Sequence, residues 1–334
     1  MLRPDVTKSI LALSLFSLAS LSSSGVARAA GDGDRCTLHG DVDVAPSVGI
    51  FDAPSDGIEI GHFTGAKVTL TVLSFAEGAG GRSLVETSGF RLKGFVRSRD
   101  VPAYTTRPVP VYGSHVSIAE GRRVAVIGAG SGRLRVERAA SAPLSGAFQG
   151  WAPCEAVSLA PRVPSGWAPP SAARGYLVVR QKVDLFDRAK GAVVVTLTRA
   201  PDGVGIPFWG SDSADGFVHV EHHGDVVIDA WARLRDLTPL AAGETPSPPA
   251  PAAIQTVVQK PQLQGRAKIV RTTSAVPLRA AATDAAVAIG GIDAGVDVIV
   301  VDVVAGWVSV MPVNQGLAPS GAAQFWVHAR DLGV

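Results

Sequence analysis

The sequence predicts an all-β protein built as a tandem array of about four small β-barrels. Four observations favour this fold class. Thirty-seven glycines and 23 prolines separate short runs rich in Val, Ile and Thr, as expected for strands bounded by turns. The run at 67–73 alternates polar and apolar residues, which is typical of a half-buried strand. No window of a dozen residues shows a convincing helical pattern with caps, and one strand-ending phrase occurs four times.

The repeated phrase is a large aromatic residue, an apolar residue, three variable residues and a close that is usually acidic and then apolar. Its four copies are at 95–101, 151–157, 231–237 and 326–332. The acid follows the aromatic by five residues in three copies, and Ala156 takes its place in the second. A repeated ending predicts a repeated structural unit.

Residues 1–29 are predicted to be a signal peptide. Arg3 and Lys8 give a charged start, residues 9–21 form an apolar run, and Ala27-Arg28-Ala29 matches a small-x-small cleavage site. An uncleaved anchor, the alternative, would need about 20 apolar residues to cross the bilayer. We therefore expect an exported protein, periplasmic, cell-surface or secreted, with no membrane span in the mature chain.

The charge of the mature chain argues against nucleic-acid binding. The whole chain has 31 Lys and Arg against 29 Asp and Glu. The leader holds three of the basic residues and one acidic residue, so 28 of each remain. Nucleic-acid binding needs clustered cations, and the mature sequence has only pairs such as Arg122-Arg123.

Residues 268–332 carry an ordered series of short motifs. The series opens with Val276-Pro277-Leu278-Arg279, continues with a Val-rich run and Gly306-Trp307-Val308, and ends in the closing phrase. This order resembles the bacterial SH3-like (SH3b) domain family. The third unit resembles it through 183–186, 216–220 and 231–237, and the first two units resemble it more weakly. The resemblance implies SH3-like barrels, with generic small barrels of the same strand rhythm as the alternative.

These features divide the chain into modules that we number 1 to 4. The predicted ranges are module 1 at 36–101, module 2 at 102–160, a linker at 161–174, module 3 at 175–240, a Pro/Ala-rich linker at 241–263 and module 4 at 264–334. Pro-rich composition is typical of semi-rigid spacers. The Pro246-x-x-Pro249 spacing also occurs in ligands of aromatic grooves, but we interpret it as part of a spacer.

The two cysteines, Cys36 and Cys154, are predicted to form a disulfide. Their number is even and export favours oxidation. The alternative is a catalytic thiol, which needs an activating environment such as a helix N-terminus. Cys154 lies within a strand-ending phrase with no helix expected after it. The bridge would join the start of module 1 to the end of module 2, so we expect these two modules to form a rigid pair.

The aromatic residues of the closing phrases have two interpretations. Trp151, Trp231 and Trp326 are expected to be partly buried structural residues, because a large aromatic contributes much of a small core. Exposed platforms for a ligand are the alternative. The loops before the closing strands, such as 311–324, are long, and we expect ligand contacts there because rigid barrels present variable loops.

One histidine cluster suggests a metal site. On a strand, His219, Glu221 and His223 would share a face and offer two imidazoles and a carboxylate, a ligand set that suits zinc. An exposed hairpin end between Gly216 and Gly224, rich in polar residues, is the interpretation we favour. We therefore predict no metal, no cofactor and no catalytic residues; whether the three bind a metal is left open.

The predicted function is binding rather than catalysis. The SH3b resemblance implies recognition of cell-wall peptidoglycan or its stem peptides, and tandem modules gain from effective concentration. An interaction scaffold for an envelope protein is the second hypothesis. A peptidoglycan hydrolase is the least favoured, because the four modules and two linkers leave no span for a catalytic domain.

Overall fold

The computed structural model describes residues 36–76, 80–201, 205–241, 244, 268–313, 316–321 and 323–334. The predicted signal peptide and almost all of the linker at 241–263 lie outside these ranges. The described chain is nearly all β, with antiparallel strands and only single helical turns, which confirms the predicted class. No helix among the described residues has the length and apolar character needed to cross a membrane.

The strands follow each other in a similar order in every module. Module 1 has β1 (Leu38–Asp43), β2 (Gly49–Phe51), β3 (Glu59–Phe63), β4 (Lys67–Ser74), β5 (Arg82–Thr87) and β6 (Phe90–Arg97). Module 2 has β7 (Ala103–Thr105), β8 (Val109–Tyr112), β9 (Val116–Ile118), β10 (Arg123–Gly130), β11 (Arg133–Ala139), β12 (Ala147–Pro153) and β13 (Val157–Ser158).

The second half of the chain continues this order. Module 3 has β14 (Arg174–Val178), β15 (Lys182–Phe186), β16 (Val193–Thr198), β17 (Ile206–Ala214), β18 (Phe217–His223), β19 (Val226–Arg233) and β20 (Thr238–Pro239). Module 4 has β21 (Lys268–Arg271), β22 (Val276–Arg279), β23 (Ala288–Ile292), β24 (Asp297–Val304), β25 (Trp307–Pro312), β26 (Leu317–Pro319), β27 (Phe325–His328) and the single-turn helix α1 (Ala329–Leu332).

Each module is built on one plan. Three strands form an antiparallel meander, namely β4-β5-β6, β10-β11-β12, β17-β18-β19 and β24-β25-β27. The opening motif forms a hairpin, which is β2/β3, β8/β9, β15/β16 or β22/β23. In modules 1, 3 and 4 the last residue of the first hairpin strand pairs with the closing aromatic, as Phe51 does with Phe95 and Arg279 does with Trp326.

Every copy of the closing phrase has the same local structure. The aromatic lies on the last meander strand, and one helical turn follows it, at Ser98–Asp100, Cys154–Ala156, Leu234–Asp236 or Ala329–Leu332. Alternation along the strand places the residue after the aromatic in the core. Val96, Ala152, Ala232 and Val327 are accordingly at most 1% exposed. The apolar position of the phrase, rather than its aromatic, is therefore the one buried in every copy.

Modules 1 and 4 are joined edge to edge. Strand β23 pairs with β6, placing Gly290 opposite Leu92, and β26 pairs with β3. The fully buried rings of Phe90 and Phe325 meet at 5.4 Å between centroids. The Arg91 guanidinium lies 2.8 Å from the Asp293 carboxylate. Modules 1 and 4 thus share one sheet, which has 13 strands in the described residues.

Modules 2 and 3 repeat this arrangement. Strand β9 of module 2 pairs with β19 of module 3, the closing strand that corresponds to β6. The loop before β12 contacts module 3 through Leu144 and Arg199, just as β26, before β27, contacts β3. The long loops that the sequence predicted as ligand contacts therefore contact a neighbouring module in both cases.

The disulfide prediction is confirmed. Cys36 and Cys154 are bonded, with Cα atoms 5.4 Å apart and a sequence separation of 118. These are the only cysteines of the sequence, so the alternative of a catalytic thiol is wrong for the oxidised chain, because a bonded sulfur is not a nucleophile.

The expectation that each module is a closed barrel needs correction. The sheets of the described residues are not closed into barrels by strand pairing, because in modules 1, 2 and 4 the second strand of the opening hairpin pairs with another module. In module 3 the corresponding strand, β16, is the edge strand of its sheet, and Val193 is 49% exposed while Val195 and Leu197 are buried.

Candidate ligand-binding cleft

A cleft opens where module 2, the linker at 161–174 and module 3 meet. Its volume is about 500 Å³, within the usual range for small-molecule sites. We call it the Trp167 cleft. It is lined by Arg122, Ser141, Ala142, Pro143, Leu144, Trp167, Pro169, Pro207, Trp209, His222, His223, Gly224 and Asp225. Indole, proline and aliphatic surfaces supply most of the wall, and a few polar groups converge on it.

A second, smaller pocket lies beside the cleft. It measures about 390 Å³ and includes Glu120, Pro164 and Val227. We call it the side pocket. The two cavities have four residues in common, which are Arg122, Trp167, His223 and Gly224. Trp167 and His223 therefore form a wall with a cavity on each side.

Trp167 is held against module 3 although it belongs to the linker. Its indole stacks on the His223 imidazole, with centroids 3.8 Å apart and planes 12° apart. The linker before it lies on module 2, where the Ser165 hydroxyl donates to the Glu120 carboxylate at 3.3 Å. The segment has no regular secondary structure, as a spacer would, but it also contributes the central aromatic of the cleft. Trp167 remains 37% exposed.

The two adjacent histidines of β18 face opposite sides. His222 is buried, and its Nδ1 donates to the Pro207 carbonyl at 2.8 Å. Burial lowers the pKa of His222 below 6.5, against the raising effect of that hydrogen bond. His223 is half-buried, and burial also lowers its pKa although Glu221, 3.6 Å away, opposes this. Both imidazoles are therefore neutral at pH 7.

Asp225 is the carboxylate of the cleft, and it interacts with Ser141 and two arginines. Arg138 donates to its carboxylate at 2.9 Å, and the Ser141 hydroxyl donates to the same oxygen. Arg122 lies further away, at 3.8 Å. Burial of Asp225 disfavours its ionised form, but the hydrogen bonds from Ser141 and Arg138 and the two positive charges outweigh it and lower the pKa. Asp225 is thus a stable anion at neutral pH.

The three candidate ligands, His219, Glu221 and His223, are not arranged as a metal site. His219, Glu221 and His223 share one face of β18 as expected. His219, however, pairs with Asp229 at 2.5 Å, while His223 stacks on Trp167. Among the described residues, no group of three or more His, Cys, Asp and Glu side chains is arranged to hold a metal ion. The interpretation of this region as an exposed hairpin end is also wrong for His222, which is buried against module 3's own β17.

The closing tryptophans lie outside the cleft. Trp231 and Trp326 are partly buried, as predicted for structural residues. Trp151 is 43% exposed on the outer face of β12, so its burial was overestimated.

The sequence reasoning missed Trp167, Arg122 and Asp225. The available signal for Trp167 was a lone large aromatic in a segment otherwise made of Pro, Ala, Ser, Gly, Val and Arg. The two charged residues carried no such signal, because they are 103 positions apart and meet only through the pairing of β9 with β19.

Comparison with known proteins adds no assignment. No protein-family model, curated protein or solved structure matches the chain. The resemblance to SH3b domains stays a prediction from the sequence.

Proposed function

We propose that this chain is a non-enzymatic binding protein of the cell envelope, with SH3b-like modules, and that it recognises peptidoglycan or its stem peptides in the Trp167 cleft. The observation that carries the proposal is the cleft itself, which presents Trp167 and Trp209 beside a small set of polar groups. Sugars and short peptides have apolar faces that pack on indole rings, while their polar groups need a few fixed partners. The site therefore suits a wall fragment.

Binding without turnover is supported by how the polar groups of the cleft are engaged. Ser141 is the hydroxyl a hydrolase would use there, but it donates directly to Asp225. A general base works best with a pKa near the operating pH, and the pKa of Asp225 is lowered. A Ser141 hydroxyl paired with this weak base is not the nucleophile–base–orienter geometry that hydrolysis requires.

An exported location is part of the proposal. The Cys36–Cys154 bond supports it, because disulfides persist in oxidising compartments. Periplasmic, cell-surface and secreted locations are equally compatible with that bond.

A protein-interaction scaffold is the second candidate, and one observation favours it. Val301, Val303 and Val304 of β24 are 52%, 60% and 46% exposed, and Ile269 on the paired strand β21 is 56% exposed. Neighbouring exposed apolar side chains are typical of protein contact surfaces. A hydrolase remains the least favoured function.

The test is co-sedimentation of the mature protein with purified cell-wall sacculi, with a simultaneous assay for released soluble muropeptides. We expect retention without release, and at least about tenfold weaker retention for Trp167→Ala, which corresponds to about 1.4 kcal/mol. Trp151→Ala is the matched control, because Trp151 is an exposed indole outside the cleft. Release of muropeptides would favour a hydrolase, and absence of retention at low salt would favour the scaffold.

A further inference from the structure

Among the residues that the structure describes, the guanidinium of Arg122 has no hydrogen-bonded partner. Its nearest carboxylate, Asp225, is 3.8 Å away, beyond hydrogen-bonding distance. The Nε of Arg122 is buried and makes no hydrogen bond within the described part of the chain. The Nε of Arg138 is in the same state, but its terminal nitrogens donate to the Arg123 carbonyl at 3.1 Å and the Asp225 carboxylate at 2.9 Å. An arginine has five N–H donors, and the four on the terminal nitrogens of the partly exposed Arg122 side chain make no hydrogen bond to a described residue, so they are open to a ligand.

The backbone of Arg122 is fixed although its side chain is not engaged. Its N–H donates to the Thr105 hydroxyl at 3.0 Å, and its carbonyl accepts from the Thr105 N–H at 3.0 Å. Thr105 is fully buried. The guanidinium therefore extends from a rigid base, which reduces the entropy lost when it binds a group.

The charge around Arg122 is positive on the side of the main cleft. Arg122 and Arg138 face one carboxylate, Asp225, so this group of three carries a net charge of +1. The neighbouring His222 and His223 add no charge at pH 7 because burial lowers the pKa of each. The side pocket differs, because Glu120 lines it. An anion is therefore favoured in the main cleft rather than in the side pocket.

We infer that the Trp167 cleft selects ligands that carry a free carboxylate, with the acid group on Arg122 and an apolar or planar part against Trp167. Guanidinium and carboxylate form paired, charge-assisted hydrogen bonds, which give both energy and orientation. Trp167 lines the same cleft as Arg122, so one small ligand reaches both. This inference rests on the proposed function in placing the ligand site in the cleft, but it concerns the chemistry that the site accepts.

The experiment compares two minimal probes that differ only in charge, N-acetylphenylalanine and N-acetylphenylalaninamide. Binding is followed at pH 7 by NMR shifts of the indole N–H signals, of which the chain has six. We expect the acid to bind at least about tenfold more tightly than the amide, or about 1.4 kcal/mol. The ratio should fall to about one in Arg122→Gln and be partly kept in Arg122→Lys, because lysine keeps the charge but not the paired geometry.

Arg123→Gln is the matched control, because Arg123 is the adjacent, exposed arginine and does not line the cleft. Equal binding of acid and amide, or no shift with the acid up to its solubility limit, would overturn the inference. An acid preference unchanged in Arg122→Gln would overturn it too. Sacculus retention that depends on Trp167 would still support the proposed function in these cases. Acid selectivity without retention on sacculi would instead refute the proposed function alone.

Discussion

Replacing Gly290 by alanine should open the contact between modules 1 and 4. Gly290 lies on β23 directly against β6, with φ at +151°. An added Cβ would lie 1.7 Å from the Arg91 carbonyl oxygen, where ordinary contacts begin at 3.4 Å. The Arg91 oxygen belongs to the backbone and cannot rotate away from the new Cβ. The two strands must therefore separate by about 1.7 Å, which breaks their pairing. Strain at this φ costs about 1–3 kcal/mol, and overpacking a further 1–3 kcal/mol or so. We expect a total loss of about 2–6 kcal/mol.

The measurement combines denaturant unfolding with hydrogen exchange of the backbone amides in 90–92 and 290–292. Gly290→Ala should lower the free energy of unfolding and remove protection in both segments. Gly130→Ala is the control, since a Cβ there meets nothing within 4 Å; it should change stability by less than about 0.5 kcal/mol. Unchanged stability and intact protection in Gly290→Ala would refute the joining of modules 1 and 4.

Three further predictions concern the bridge, the buried histidine and the closing phrase. Removing the disulfide in Cys36→Ala/Cys154→Ala should lower the free energy of unfolding by about 5 kcal/mol, because the bridge closes a loop with a sequence separation of 118. A decrease below about 1 kcal/mol in guanidinium titration would contradict this. The pKa of His222 is lower in the folded than in the unfolded chain, so the unfolded chain binds more protons. The free energy of unfolding should therefore be at its maximum above about pH 6.5 and fall as pH drops through the folded pKa. The melting temperature should fall with pH across this window, and His222→Gln should weaken that dependence. The same pH dependence in the variant and the wild type would refute the role of His222. Val327→Ala should cost about 1–3 kcal/mol, since Val327 is fully buried. Truncation of the partly exposed Trp326 to alanine should lower the free energy of unfolding by about 2 kcal/mol and leave sacculus retention unchanged. Lost retention at a wild-type melting temperature would instead place Trp326 in a ligand site.

The sequence by itself determined the local structure of this protein. Alternation of polar and apolar residues predicted β4 at its correct place, because the side chains of a strand have a period of two. The four closing phrases share one structure because strand and turn propensities are local. Cys36 and Cys154 were the only possible pair.

Only the tertiary structure decided which strands pair and what the pairing brings together. The outer edge of an opening hairpin offers the same backbone groups to any free strand edge, so nothing in β9 or β23 specifies a partner in another module. The burial of His222, the stack of Trp167 on His223 and the approach of Arg122 to Asp225 all depend on that choice. The candidate site lies between modules, where contacts are long-range, and a local pattern carries no information about them.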